Sequence, residues 1–110
     1  MKEITFMGTS LKEIKRFPAP AKHRAGHELM AIQIGINPTD WKPINAIGSG
    51  VKEIRIHEGG EFRVIYFAKF AEAVYVLHAF QKKTQKTPKK EIDLAKKRLK
   101  QLCLEREERS

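Results

Sequence analysis

Three strand-like runs follow one another with only short turns between them, and that block sets the fold of the whole chain. Val51–His57 alternates in character: Ile54 and Ile56 fall on one side of an extended strand, Glu53, Arg55 and His57 on the other. Gly59-Gly60 supplies a turn into residues 61–68, a run of aromatic and β-branched side chains suited to a central strand. Phe70-Ala71-Glu72 turns the chain again into residues 73–80. The economical arrangement is a three-strand antiparallel meander.

The flanking segments read as helices. Residues 4–7 form a short apolar run that fits an edge strand, closed by Gly8. Ser10-Leu11-Lys12-Glu13 has the spacing of a capping box, with Ser10 as N-cap, and Pro18 ends the short helix that follows. Pro20 suits the first position of a second helix, along which Ala21, Ala25, Leu29 and Ile32 recur at helical spacing up to Gly35. Together the two form a helical hairpin. Residues 37–50, with two prolines and two glycines, read as irregular, and Trp41 within them as a packing anchor. Thr87-Pro88 marks the start of a last helix, whose apolar stripe is Ile92, Ala95, Leu99, Leu102 and Cys103. The expected order is β-α-α-β-β-β-α, an α+β fold in which helices cover one face of a small sheet.

Length and charge narrow the function. A chain of 110 residues is expected to form one domain spanning residues 1–110. Its formal charge of +9 is uneven, because residues 82–100 hold nine Lys or Arg against Glu91 and Asp93. Such a run can be no more than a solvated helix face, yet basicity of this size favours a polyanionic partner. The single cysteine, Cys103, rules out an intrachain disulfide and sits on the apolar stripe as a small core residue. The start of the chain has no apolar signal region and no segment approaches the length of a membrane span, so a cytoplasmic protein without a membrane partner is expected.

The candidate functional residues are cations near one sheet. Arg63 lies among Phe62, Val64, Ile65, Tyr66 and Phe67. An arginine in such a strand needs either an acidic partner, Glu53 or Glu61, or a substrate-facing groove. Arg55 shares its face with Glu53 and His57, while Lys82, Lys83 and Lys86 crowd the turn where the last strand gives way to the last helix. His78 is either a proton carrier or a hydrogen-bonded structural residue. His23 and His27 stand four residues apart on a helix, but no third ligand accompanies them, so no metal and no cofactor are expected. Phosphate-cradling glycine loops, paired catalytic carboxylates and a Ser-His-Asp grouping are all missing from the sequence.

Taken in order, Leu29-x-x-Ile32-Gln33-x-Gly35, Val51-Lys52-Glu53-Ile54-Arg55, Phe62-Arg63-Val64-x-Tyr66 and Leu77-His78-x-Phe80-x-Lys82-Lys83-Thr84-x-Lys86-Thr87-Pro88 resemble toxins of the RelE/ParE superfamily, and within it the phage-derived HigB-like branch. The resemblance covers nearly the whole chain and implies a RelE-like fold, an N-terminal helical hairpin packed on a small antiparallel sheet. It further implies a type II toxin that cuts mRNA on the ribosome without metal, by attack of the RNA 2′-hydroxyl on the adjacent phosphorus. Catalytic roles would then fall to Arg63, Arg55, Lys83 and His78, and RNA binding to Lys82, Lys83, Lys86 and Lys52. The implied partners are mRNA, the ribosome and a helix-turn-helix antitoxin, through which alone the toxin would reach operator DNA. Some superfamily members use a tyrosine near the C-terminus as general base; here Tyr66 and Tyr75 both lie inside strands, which leaves the base open, with His78 and a lysine of lowered pKa as candidates. Two other functions share the fold or the charge: a non-enzymatic ParE-like toxin acting on DNA gyrase, and a nucleic-acid-binding accessory protein.

Overall fold

A computed structural model describes residues 1–109. The elements are β1 (Glu3–Phe6), α1 (Ser10–Lys15), α2 (Ala19–Gln33), β2 (Trp41–Pro43), β3 (Val51–His57), β4 (Glu61–Phe67), β5 (Ala73–Gln81) and α3 (Lys89–Arg109). They build an α+β fold on one five-stranded sheet ordered β1-β5-β4-β3-β2. The β3-β4-β5 meander is antiparallel, as the alternating sequence requires. Gly59 and Gly60 make its first turn with φ of 72° and 152°, a conformation open to glycine alone at little cost.

Two features of the sheet differ from the sequence expectation. The edge strand β1 pairs with β5 in parallel, from Glu3 opposite Ala73 to Phe6 opposite Val76, so the sheet is mixed. Residues 41–43, within the stretch read as irregular, form β2 against β3. Three residues ending in a proline carry no periodicity from which a strand can be read.

The helices cover both faces. On one, Ile54, Ile56, Phe62, Val64, Tyr66, Val74 and Val76 pack against Ile14 and Phe17, and against Ala21, Ala25, Leu29 and Ile32 of α2. On the other, Val51, Ile65, Phe67, Tyr75 and Leu77 lie under Ala95 and Leu102 of α3. The reason is in β4, whose residues from Phe62 to Phe67 are buried on both sides of the sheet. Each fully buried large side chain contributes about 1.5–3 kcal/mol. Cys103 does not join this core: it is exposed, one residue beyond Leu102 and therefore about 100° further around the helix.

β5 contains the irregularity that shapes the rest. Ile65 lies opposite His78 and Tyr66 opposite Val76, so Leu77 is an extra residue and the alternation shifts by one. Beyond β1 the outer edge of β5 would be bare; α1 covers it instead. Met7 N–H and Ser10 Oγ both donate to the Val76 carbonyl (2.8 and 3.1 Å), and the Glu13 carboxylate accepts from Ala79 N–H at 3.2 Å. Ser10 is thus spent on the sheet; Thr9 is the N-cap residue, with no side-chain cap bond.

Candidate nucleic-acid interface

α3 covers only the half of its sheet face made by Val51, Ile65, Phe67, Tyr75 and Leu77. The other half carries charge. Strand register places Lys42 opposite Glu53, Arg55 opposite Arg63 and His57 opposite Glu61. The Lys82 N–H donates to the Glu61 carbonyl at 2.7 Å, extending that row by one residue. Lys42 is exposed, Arg55 and Lys82 are half-buried, and Arg63 and Glu53 form the buried floor.

At the centre is Glu53, 1% exposed, with Oε1 3.6 Å from Arg63 Nε and Oε2 without a hydrogen-bond partner. Burial raises its pKa above the usual carboxylate value, against the opposing pull of Arg63, Lys42, Lys82 and Arg55. The chain thus gathers four cations around one carboxylate that is short of hydrogen bonds. Arg63 itself is held on three sides: Nη1 donates to the Phe62 carbonyl (3.0 Å), Nη2 to Glu61 (3.1 Å), and Glu53 lies beneath. Of the two readings open for Arg63, the pairing with Glu53 and Glu61 is what the fold contains; the guanidinium does not face solvent.

A second layer steadies the groove. Buried Glu28 of α2 accepts from Thr39 N–H (2.7 Å) and Thr39 Oγ1 (2.8 Å), which pins the segment leading into β2. That places Asp40 so that its carbonyl accepts from Arg55 N–H and its carboxylate meets Arg55 Nε at 3.2 Å. His57 bridges the two acidic neighbours, with Nε2 2.7 Å from Asp40 and Nδ1 2.7 Å from Glu61. The bond to Asp40, then that to Glu61, raises the His57 pKa. The same bonds lower both carboxylates, with His57 the foremost cause in each. Arg55, Asp40, His57, Glu61 and Arg63 therefore form one chain of ion pairs along the groove.

The remaining sequence candidates separate. Lys83 and Lys86 lie exposed in the turn after β5, where Thr84 Oγ1 donates to the Lys86 carbonyl at 2.6 Å. Lys52 is on the opposite face of the sheet, opposite Tyr66 and with Nζ 4.5 Å from the Trp41 ring centre. His78 is buried, stacked on Phe80 at 5.3 Å, with Nδ1 3.0 Å from Glu13 and Nε2 3.0 Å from Glu91. Arg98 completes that cluster by donating to Glu13 (3.0 Å), to the Leu77 carbonyl (2.8 Å) and to Thr9 Oγ1 (2.9 Å). Burial acts to raise the Glu13 pKa, but hydrogen bonds from His78 and Arg98 outweigh it and hold Glu13 at about 2. This grouping ties α1, β5 and α3 together.

Sequence reasoning missed Lys42 and Asp40, because the strand they adjoin carried no pattern, and it weighed Glu53 only as a partner for Arg63. Among the described residues no three His, Cys, Asp or Glu side chains are grouped so as to hold a metal ion. No helix among them is long and apolar enough to cross a membrane. No curated protein matches the chain. Residues 12–100 do match a family model, that of the phage-derived Gp49-like proteins (DUF891); with some four-fifths of its length covered, the chain belongs to that family.

Proposed function

We propose that the protein is the toxin of a type II toxin–antitoxin system, of the HigB-like branch of RelE toxins, and that it cuts mRNA on the ribosome without a metal ion. The observation that carries this reading is the convergence of Lys42, Arg55, Arg63 and Lys82 around Glu53 on the uncovered half of one sheet face. Family membership supports it, since Gp49-like proteins are associated with RelE-like toxins.

The chemistry follows from what that groove offers. Cleavage forms a bond from the RNA 2′-oxygen to the adjacent phosphorus and breaks the bond to the 5′-oxygen. The products are a cyclic phosphate and a 5′-hydroxyl. The 2′-hydroxyl must lose a proton, the 5′-oxygen must gain one, and charge builds on the phosphoryl oxygens between. Arg55, Lys42 and Lys82 are exposed or half-exposed and hold permanent charge where a phosphate can reach them. Arg63, hydrogen-bonded to the Phe62 carbonyl and to Glu61 and lying 3.6 Å from Glu53, adds a cation in fixed position. Glu53 takes the role of proton acceptor left open by the sequence: it has a free oxygen, and burial holds its pKa above the usual range. The surrounding lysine and arginine side chains must part for the 2′-hydroxyl to reach it, because Glu53 is buried. His78 and Lys83 stand outside this arrangement: His78 as part of the cluster that fixes α3, Lys83 and Lys86 as contacts for flanking phosphates. The partner that restrains the toxin is an acidic helix-turn-helix antitoxin, and operator DNA is reached through it.

Induced expression in bacteria, with transcript ends mapped, tests the reading. Growth should stop and transcripts should break at defined positions bearing 5′-hydroxyl ends; Arg55→Ala should lower cleavage about 100-fold or more while the protein stays folded. Growth arrest with intact transcripts would instead favour the gyrase-directed reading.

A further inference from the structure

The C-terminal turn of α2 and the residues after it leave apolar surface uncovered on the face away from the cationic groove. Met30 is 59% exposed, Ile34 55% and Ile36 57%. Three large apolar side chains within seven residues, all more than half in water, exceed the scattered exposure of an ordinary surface. They are not a flat patch. Ile34 and Ile36 line an open groove of about 640 Å³ whose floor includes Ile32, Tyr66 and Ala68. The groove is also cationic: Lys2 and Lys52 line it, and an adjoining depression that shares Lys52 and Ala68 adds Lys69. Among the described residues lining either, none is acidic.

Both long side chains at the rim are already positioned. Lys2 Nζ donates to the Ala68 carbonyl at 2.5 Å, and Lys52 stands over Trp41. Their charge is thus held at the groove edge rather than swinging free, which lowers the entropy lost when an anion meets them.

We propose that this groove is the docking site for an amphipathic helix of a partner protein, with apolar side chains on Ile34, Ile36 and the groove floor and carboxylates on Lys2, Lys52 and Lys69. The charge excludes the other occupants. A second copy of the chain would bring like lysines together and repel. A nucleic acid would set phosphates over an apolar floor that cannot hydrogen-bond them, while the opposite face offers arginines. An acidic amphipathic helix satisfies both the floor and the rim. In the reading given above this partner is the antitoxin; the groove assignment names its place of contact and leaves the cationic face free in the complex.

A synthetic peptide tests it: about 18 residues, leucines at helical spacing and glutamates elsewhere, titrated into isotopically labelled full-length protein. Amide shifts should centre on residues 30–37, Lys52 and Ala68, and affinity should fall about tenfold or more between about 50 and about 300 mM salt. Replacing the glutamates with glutamine should weaken binding about tenfold. Ile34→Asp combined with Ile36→Asp should abolish it; these positions are more than half exposed, and the variant's unchanged circular dichroism would show that it folds. Shifts centred on Arg55 and Lys82, equal binding of the glutamine peptide, or no binding overturn the proposal. So does a concentration-dependent dimer that disappears in the double variant. Cleavage assays on the same samples separate the two readings: binding at the groove by a protein that cuts no RNA sinks the nuclease and keeps the docking site, and the reverse result does the opposite.

Discussion

Glu53 shows how one residue can have two consequences. As the anion amid Lys42, Arg55, Arg63 and Lys82 it relieves their mutual repulsion; as a buried carboxylate with an unbonded oxygen it is a proton acceptor. Glu53→Gln keeps the shape but removes both the anion and the proton acceptor, so RNA cleavage should drop about 100-fold or more, with circular dichroism showing whether the fold is retained. Near-normal cleavage by a folded Glu53→Gln protein would end its role as base. The same geometry changes what Arg63 can be asked. Because its guanidinium is buried between Glu53 and Glu61, Arg63→Ala strands a carboxylate and should cost about 3 kcal/mol of stability, which confounds any loss of activity. Half-exposed Arg55 is the cleaner probe of phosphate binding. His57 makes a pH prediction. Its pKa is raised in the fold, so its contribution is complete below the ordinary histidine value and fades as pH rises through the raised one. Asp40 and Glu61, lowered, contribute above the ordinary carboxylate range and fade as pH falls. Unfolding measured from about pH 5 to about pH 9 should therefore show the gap between wild type and His57→Asn shrinking with rising pH, and a gap that widens would contradict the clamp.

At the level of elements, α3 is attached by two separate devices. Its stripe of Ala95, Leu99 and Leu102 lies on the sheet, and Arg98 reaches past it to Glu13, Thr9 and the Leu77 carbonyl. Gly8 makes room for that reach: it adopts φ of 54°, and a side chain there would stand 2.6 Å from Arg98 Nε. Arg98→Ala leaves Glu13 and a β5 carbonyl short of partners and should cost about 2 kcal/mol, seen as a melting temperature lower by roughly 8–16 °C. Amide exchange should quicken in α1 and α3 together; quickening in α3 alone would mean the cluster does not couple them. None of this attachment was legible in the sequence. Periodicity found the strands of the meander, both long helices and the edge strand at the start, because burial repeats along each of them. It could not report that β1 runs parallel to β5, since a short apolar run has no direction of pairing. Nor could it place His78. An extra residue in β5 shifts the alternation there, and only the register discloses it. For the site, Arg55, Arg63 and Lys82 stand out by type and position and share the groove, Lys42 and Asp40 are hidden in a segment without pattern, and Lys52, one residue off from Glu53 in an alternating strand, lies on the other face.

For the molecule as a whole, cations gather in two places besides the last turn and helix: a groove with arginines and an open face with an apolar floor. Binding of single-stranded RNA to the first should fall with salt at about 0.7 in log affinity per tenfold change for each phosphate neutralised. Cleavage should survive excess EDTA, provided ribosomes are kept intact; strict rescue by a divalent ion would point to ligands not recognised above. A last consequence lies in the parallel pairing of β1 with β5. Glu3 meets Ala73, seventy positions later, and Thr9 meets Arg98. At about 5–20 residues per second of synthesis, the first strand waits roughly 4–14 s before its partner has been made. Lys82, which completes the ring of cations around Glu53, is added later still. A fragment released from an interrupted message before Lys82 has neither a closed sheet nor that ring, so on the nuclease reading such truncated products should be inert, and the cell should meet the chemistry only after about three-quarters of the chain has been joined.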